Sequence, residues 1–504
     1  MFTDVLGALG HVLTNPMSLA LSVAGVLVGI VFGALPGISS TMSLAVLMPL
    51  TFRLNATDAM LFLMAVFNAS VYGGSISAIL VNIPGTPGAI ATQLDGHPMA
   101  KQGRAGEALG YATLASGFGG VLGLLVFMTI APLVATVGLN FQSPEFTGLA
   151  LLGLASLSAA LPGAAYKGIL VGILGLLLST IGLDPLTNVL RFDFGSTDLA
   201  AGLSIVPMAV GIFGLAEVLN GLERGPARMD VVRTISRVIP PWAEVKRTLP
   251  AALRGSLVGI IVGIIPAAGS AIGVVFAYLQ EKRLSAHPER FGTGIPEGIV
   301  APESSNNAEI GGDLIPTMSL GIPGDGITAV LMGALLVQGL RPGPLLFKEH
   351  PDFVAAVYVA LGIAVVLTTA FGLLGARLFA KVLAVPQPIL LCAIAMLCVV
   401  GSYAANNSLF DVGAMIGFGV LGYLMQKLGF PVVPLVFGLI LGPMLEENVR
   451  RTLVVSDGSW LIYVQRPISV TLLVLATATA AYPAVLEYRA RRRPRGHFPP
   501  PGLQ

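Results

Sequence analysis

Residues 27–36 read LVGIVFGALP, and residues 257–266 read LVGIIVGIIP. The two align without a gap, Leu27 on Leu257 through Pro36 on Pro266, at an offset of 230 residues. The match resumes at Gly73-Gly74 against Gly311-Gly312 and at Ile83-Pro84-Gly85 against Ile322-Pro323-Gly324, with the offset grown to 238 and then 239. One such match means little in Gly-rich apolar sequence. Three in order, at nearly constant offset, point to a duplicated unit.

The composition around these stretches is that of a membrane protein. Charged residues are 11% of the 504-residue chain, against roughly 25% for a soluble domain. Apolar residues are 55%, and there are 62 glycines besides. Long apolar runs recur at Val121–Val137, Gly168–Gly182, Val354–Gly375 and Ile468–Val485, enough for a hydrocarbon core of ~30 Å. The net charge of +2 implies nothing about partners, and no nucleic-acid partner is expected. Cys392 and Cys398 share one apolar run and read as small core residues rather than a disulfide or metal pair. The N-terminus reads as retained, without a cleavable signal. No stretch is polar enough for a soluble domain, so any water-soluble substrate catcher is another chain.

Basic residues suggest the orientation. Residues 1–15 contain no Lys or Arg, whereas Arg224, Arg228, Arg233, Arg237, Lys246, Arg247 and Arg254 crowd the middle, and Arg489, Arg491, Arg492, Arg493 and Arg495 the tail. These place the N-terminus outside and the central linker and C-terminus in the cytoplasm. The two repeats then enter from opposite sides and are inverted. Lys282, Arg283 and Arg290 stay inside only if 255–281 is a re-entrant hairpin turning near Pro266, matched by 17–52 turning near Pro36. Arg450 and Arg451 fall outside, a mild violation. The expected architecture is an all-α polytopic protein of about 11 crossings. They fall at 59–95 (broken), 108–136, 146–162, 167–183, 200–220, 299–340 (broken), 353–380, 388–402, 412–428, 430–446 and 466–488. The divisions are a first half at 1–222, a basic linker at 223–254, a second half at 255–488 and a basic, Pro-rich tail at 489–504.

Four clusters combine Gly and Pro with polar residues: Leu35–Thr41, Ile265–Ser270, Asn68 through Tyr72–Ser75 to Asn82–Gly88, and Glu303–Asn307 through Gly311–Asp313 to Gly321–Gly326. Pro removes a backbone donor and Gly permits unwound backbone. A helix broken there frees N–H groups on one half and C=O groups on the other. The N–H end suits an anion and the carbonyl end a cation. For any single glycine, helix packing is the simpler account. The clusters favour a site because Ser, Asn and Asp gather at the same breaks. The expected substrate residues are Ser39, Ser40, Thr41, Asn82, Pro84, Gly85, Thr86, Gly269, Ser270, Asn306, Asn307, Pro323 and Gly324.

No Lys or Arg occurs from Leu54 to Ala100, or from Phe291 to Leu340, although the second stretch holds Glu297, Glu303, Glu309, Asp313 and Asp325. An acid at mid-membrane costs ~2.5–3.5 kcal/mol on insertion scales. Glu297 and Glu303 are assigned to the cytoplasmic mouth, and Asp313 and Asp325 to coupling with Na⁺ or H⁺. A helix N-cap is an equal reading for Asp325. His97, beside Lys101 and Arg104, reads as a loop residue. No HExxH, GxSxG or Walker lysine is present, so no enzyme, catalytic residue, metal or organic cofactor is expected.

These clusters resemble the large membrane subunit of the tripartite tricarboxylate transporter family, the TctA family. The resemblance rests on Gly33–Gly37, Tyr72–Ser75 with Asn82–Pro87, Asp95-Gly96 with Gly103–Gly106, Gly182–Pro185 with Arg191-Phe192, and Ala301–Asn307 through Pro323-Gly324 to Pro342–Pro344. It implies a bacterial inner-membrane secondary transporter working with a small membrane subunit and a periplasmic solute-binding protein. It further implies import of tri- or dicarboxylates by cation-coupled symport. The rival readings are an anion channel or uniporter using the same half-helix geometry, and a membrane enzyme or structural subunit. Uphill, gradient-dependent accumulation separates a carrier from a channel.

Overall fold

The computed structural model describes residues 2–159, 165–184, 186–225, 232, 235 and 237–492. Helix α1 (Phe2–Thr14) leads into α2 (Pro16–Ala34), which starts where the Asn15 side chain accepts from the Met17 N–H and Pro16 takes the first helical position. Leu35–Ser39 forms a turn, with Gly37 at φ +89°, and α3 (Ser40–Leu47) runs on from its Ser39 cap. Helix α4 (Ala56–Val81) follows, closed by Asn82 in the left-handed region at φ 58°.

After the break come α5 (Thr92–Met99), α6 (Ala105–Gly138), α7 (Ser143–Ala159) and α8 (Ala165–Leu178). A two-stranded antiparallel hairpin, β1 (Gly182–Leu183) with β2 (Leu190–Arg191), precedes α9 (Ile205–Arg224). The second half runs through α10 (Trp242–Ile264), α11 (Ser270–Leu284), α12 (Glu297–Leu320) and α13 (Gly326–Val337). It ends with α14 (Pro351–Phe379), α15 (Gln387–Asn406), α16 (Leu409–Lys427), α17 (Val433–Val455) and α18 (Pro467–Arg492).

The aligned stretches become two hairpins built alike. In α2, Gly25, Gly29 and Gly33 lie against Phe62–Ser70 of α4; a Cβ at Gly33 would stand 2.1 Å from the Ser70 carbonyl oxygen. In α10, the glycines 230 positions later, Gly255, Gly259 and Gly263, lie against Ala301–Gly312 of α12; a Cβ at Gly259 would stand 2.1 Å from the Ser305 carbonyl oxygen. Small residues at four-residue spacing let helices approach to backbone contact. The C-caps match too, since α12 ends on Gly321 at φ 72° as α4 ends on Asn82. Asn and Gly are the residues that take this conformation readily.

Helices α4 and α12 are the most enclosed of the described helices, buried almost end to end. Each is covered by a helix of the other half. Gly119 and Gly123 of α6 lie against Ser304 and Ala308 of α12, and Gly372 of α14 lies against Tyr72 of α4. Eight described helical segments are long and apolar enough to cross a membrane: α2, α4, α5–α6 together, α9, α10, α14, α15 and α16. Large apolar side chains on the outer helices stay exposed, among them Val366, Leu374 and Met396, as lipid contact requires. The chain is a multi-pass membrane protein. The 182–191 hairpin is held to the far end of α17, since Asp184 pairs with Arg450 at 2.5 Å and Arg191 with Glu446 at 2.6 Å. Arg450 and Arg451, unexplained by charge placement, are thus paired, Arg451 with Glu447.

The chain is helical as expected, with one two-residue-per-strand hairpin added to the helices. Helix α10 begins at Trp242, so helix continues back from the expected hairpin into 242–254. Neither Tyr72–Ser75 nor Asn306–Asp313 interrupts a helix. Both runs are buried on all sides, where a continuous ladder already satisfies the backbone; the breaks lie only at 82–91 and 321–325. Cys398 is buried as expected, but Cys392 is exposed on the same helix; both thiols are free. Of the basic residues used for orientation, Arg228, Arg233, Arg493 and Arg495 lie outside the described residues, as does Pro185.

Candidate functional site

The breaks carry the candidate residues, and each hairpin packs on both. Within the second half, the tip of the α10–α11 hairpin is tied to the 321–325 break by a 2.5 Å hydrogen bond from the Ala267 N–H to the Gly324 carbonyl. Between halves the packing is crosswise. Helix α3 lies on α13, and Thr41 Oγ1 is 3.4 Å from the position of a Cβ at Gly326. Helix α11 lies on the first break, where Ala91 packs with Val274, Tyr278, Phe291 and Ile295.

Around the first break, Gly85 donates to the Gly74 carbonyl at 3.3 Å, and a Cβ there would stand 2.2 Å from the Gly33 carbonyl. Thr86 is buried against Gly74. Gly88 meets Asn306 of α12, whose Oδ1 lies 1.9 Å from the position of a Cβ at Gly88. Asn306 donates to the Val71 carbonyl at 3.4 Å, and Asn307 to Asn68 Oδ1 at 3.2 Å; Asn68 in turn donates to Thr368 at 3.0 Å. Around the second break, Pro323 is buried and Gly324 crosses over Asp313, with a Cβ position 2.7 Å from the Asp313 Cα.

Buried polar atoms normally have partners. Among the described residues, Ser40 Oγ, Thr86 Oγ1, Asn306 Oδ1, Asn307 Oδ1 and Asp313 Oδ1 do not. These are five of the sequence-derived candidates. Others serve the backbone. Ser39 caps α3, accepting from Met42 at 3.1 Å, and Asn82 is an exposed C-cap. Asp325 caps α13 in a reciprocal box with Thr328 at 2.8 Å, which is the N-cap alternative. Pro84, Gly269 and Ser270 are half-buried.

Two cavities among the described residues take up residues of the candidate clusters at the two tips. A cavity of about 210 Å³ at the first tip is lined by Leu35, Pro36, Gly37 and Ile83, with Glu217 and Arg224. One of about 190 Å³ at the second tip is lined by Ala267, Gly269, Asp325 and Gly326, with Pro431 and Val433. Each belongs mainly to one half's own tip and break.

Several residues were missed. Arg224 brings a guanidinium to the first tip, 3.6 Å from Glu217; in sequence it was only the edge of a basic run. Ser305 and Glu309 join Asp313 on one face of α12 with unpartnered oxygens, a pattern legible from their four-residue spacing. Glu303, expected at a mouth, is fully buried and accepts from Thr92 at 2.5 Å and Ser116 at 3.0 Å. Two hydroxyls from the first half give it what water would. His97 is in α5, not a loop, with Nδ1 3.0 Å from the Ile79 carbonyl. Outside the membrane, the Asp184 carboxyl is held well below the usual carboxylate range. The backbone N–H groups of Thr187 and Leu186 do most of this, helped by Arg450.

A family model described as "Tripartite tricarboxylate transporter TctA family" matches residues 19–437. The chain is similar to an uncharacterized 52.8 kDa protein of Agrobacterium vitis, from the TAR-I ttuC' 3' region. The two are 35% identical over 478 residues, 95% of each chain. It is also 35% identical to an uncharacterized protein of the same organism, from the TAR-II ttuC' 3' region. That match covers 234 residues, 46% of this chain and 97% of the relative.

Proposed function

The chain belongs to the tripartite tricarboxylate transporter TctA family, and on that premise we propose that it is the carrier subunit importing small di- or tricarboxylates by cation-coupled symport. As a member it is a membrane transporter component. The observation that carries the finer reading is the set of buried, unpartnered oxygens on Ser40, Thr86, Asn306 and Asn307 beside two helix breaks packed crosswise. A fold that spends polar atoms this way gains nothing in stability, since an unmade buried hydrogen bond costs ~1–3 kcal/mol.

In this reading the amides and hydroxyls, with the N–H groups that open α3 and α13, hold the solute's oxygens. Arg224 at the first cavity adds the cationic group that attracts a carboxylate. Asp313 takes part in coupling to Na⁺ or H⁺, and Asp325 acts chiefly by holding the start of α13. The hairpins are re-entrant, the halves are inverted, and the N-terminus is periplasmic with the C-terminus cytoplasmic. The partners are a small membrane subunit and a periplasmic binding protein, in the bacterial inner membrane.

Reconstitution of the chain with the products of its neighbouring genes, screened with labelled di- and tricarboxylates under imposed Na⁺ or H⁺ gradients, tests this. Uptake of a carboxylate driven by one gradient is expected. Uptake indifferent to both gradients would leave the channel or uniporter reading.

A further inference from the structure

Ser305, Glu309 and Asp313 stand four residues apart on α12, which stacks them on one face. Their exposures are 0%, 1% and 4%. Ser305 Oγ, both Glu309 carboxyl oxygens and Asp313 Oδ1 have no hydrogen-bond partner among the described residues. Helix α11 opposes this face with Gly273. A Cβ built on Gly273 would stand 3.0 Å from Glu309 Oε2 and 3.5 Å from Ser305 Oγ. The two oxygens therefore close on one point, which any larger side chain at 273 would occupy.

Among the described residues, no basic side chain pairs with these acids. Asp313 is on the same helix, and Asp325 opens α13 just beyond it. On the hairpin, Arg254 and Glu281 are paired with each other at 2.7 Å, and the Tyr278 hydroxyl donates to Asp95 at 2.8 Å. On α4, Tyr72 is bonded to Thr113 at 2.8 Å. On α6, Tyr111 is bonded to Glu244, and Glu107 to Arg104. At the level of Glu309, α6 presents Gly123. Two ionised carboxylates one helical turn apart, enclosed and without a counter-charge, repel each other and lack hydration. A single bound proton relieves both defects. A proton needs only these two carboxylates.

We propose that Glu309 and Asp313 share one exchangeable proton, with the Ser305 hydroxyl facing Glu309 beside Gly273, and that this face of α12 is the proton-binding element of the carrier. On binding, one carboxylate oxygen takes H⁺ and forms an O–H bond; on release the bond breaks and the carboxylate returns, with no electron transferred. The assignment rests on the carrier reading for its role in transport, but not for its chemistry.

Infrared difference spectroscopy of the purified full-length protein between two pH values tests the chemistry without any transport. A protonated-carboxyl band that titrates is expected. It should be lost in Glu309→Gln and shifted in Asp313→Asn and Glu309→Asp, but retained in Glu297→Gln, whose carboxylate is paired with Arg247. If Glu309→Gln does not fold, the shifts in Glu309→Asp and Asp313→Asn decide. A band unchanged in these variants, or one removed by Na⁺ at constant pH, overturns the proposal. If the band behaves as expected while uptake ignores a proton gradient, the carrier reading fails and the proton site stands.

Discussion

The Ala267 N–H donates to the Gly324 carbonyl at 2.5 Å, fixing the second hairpin's tip to the break that ends α12. Gly324 can make this contact because it has no side chain; its Cβ position is 2.7 Å from the Asp313 Cα and 2.9 Å from the Asp313 carbonyl oxygen. Backbone atoms cannot move aside as a side-chain end can. Gly324→Ala is therefore expected to lower stability by ~1–3 kcal/mol and to abolish uptake, read by thermal unfolding and by transport assay.

The hairpin glycines make a second case. A Cβ at Gly33 meets the Ser70 carbonyl at 2.1 Å, and one at Gly263 meets the Glu309 carbonyl at 2.6 Å, whereas one at Gly7 meets nothing within 4 Å. Alanine at 33 or 263 should each cost ~1–3 kcal/mol by forcing helices apart. Alanine at 7, on an open helix face, should raise stability slightly. Equal melting temperatures for all three would refute the duplicated close packing.

The unpartnered hydroxyls separate function from folding. Thr86→Val and Ser40→Ala remove oxygens that have no hydrogen-bond partner among the described residues. Replacing an unsatisfied buried polar group by an apolar one of similar shape is near neutral, so stability should hold within ~1 kcal/mol. Uptake should fall about tenfold for each, the loss that ~1.4 kcal/mol of solute contact represents. A large stability loss with normal transport would make these groups structural.

The legible part of the fold was the part set by repetition and by capping chemistry. Glycines 29, 33, 259 and 263 align in sequence and pack alike, and the breaks after Val81 and Leu320 fall at the matched Pro-Gly pairs. Glycine and asparagine inside α4 and α12 misled, because in a buried helix Gly73, Gly74, Gly311 and Gly312 serve close approach rather than interruption. Local signals could not disclose that Glu303 would meet Thr92 and Ser116, 211 and 187 residues away. Nor could they bring Arg224 back to Gly37. The β1–β2 hairpin was hidden because it is two residues per strand, held by ion pairs to a helix far along the chain.

That hairpin carries the pH prediction. Asp184 has a folded pKa below its ordinary value of about 3.9. Its contribution is therefore complete above the ordinary value and is lost as pH falls through the lowered one. Asp184→Asn should lower the melting temperature by on the order of 1–2 °C. The difference should be the same at pH 7 and pH 5 and should vanish in strong acid. Arg450→Gln should reproduce part of it, since Arg450 meets Asp184 at 2.5 Å and Glu446 at 2.8 Å.

Whether the crosswise breaks hold a solute for coupled movement is tested most directly by the steady-state accumulation ratio of a labelled carboxylate. It is measured in proteoliposomes containing the full system, before and after the cation gradient is collapsed with an ionophore at fixed membrane potential. The account predicts accumulation above the value set by the potential alone, lost on collapse. A ratio that stays at the potential-determined value, with and without the gradient, would contradict it.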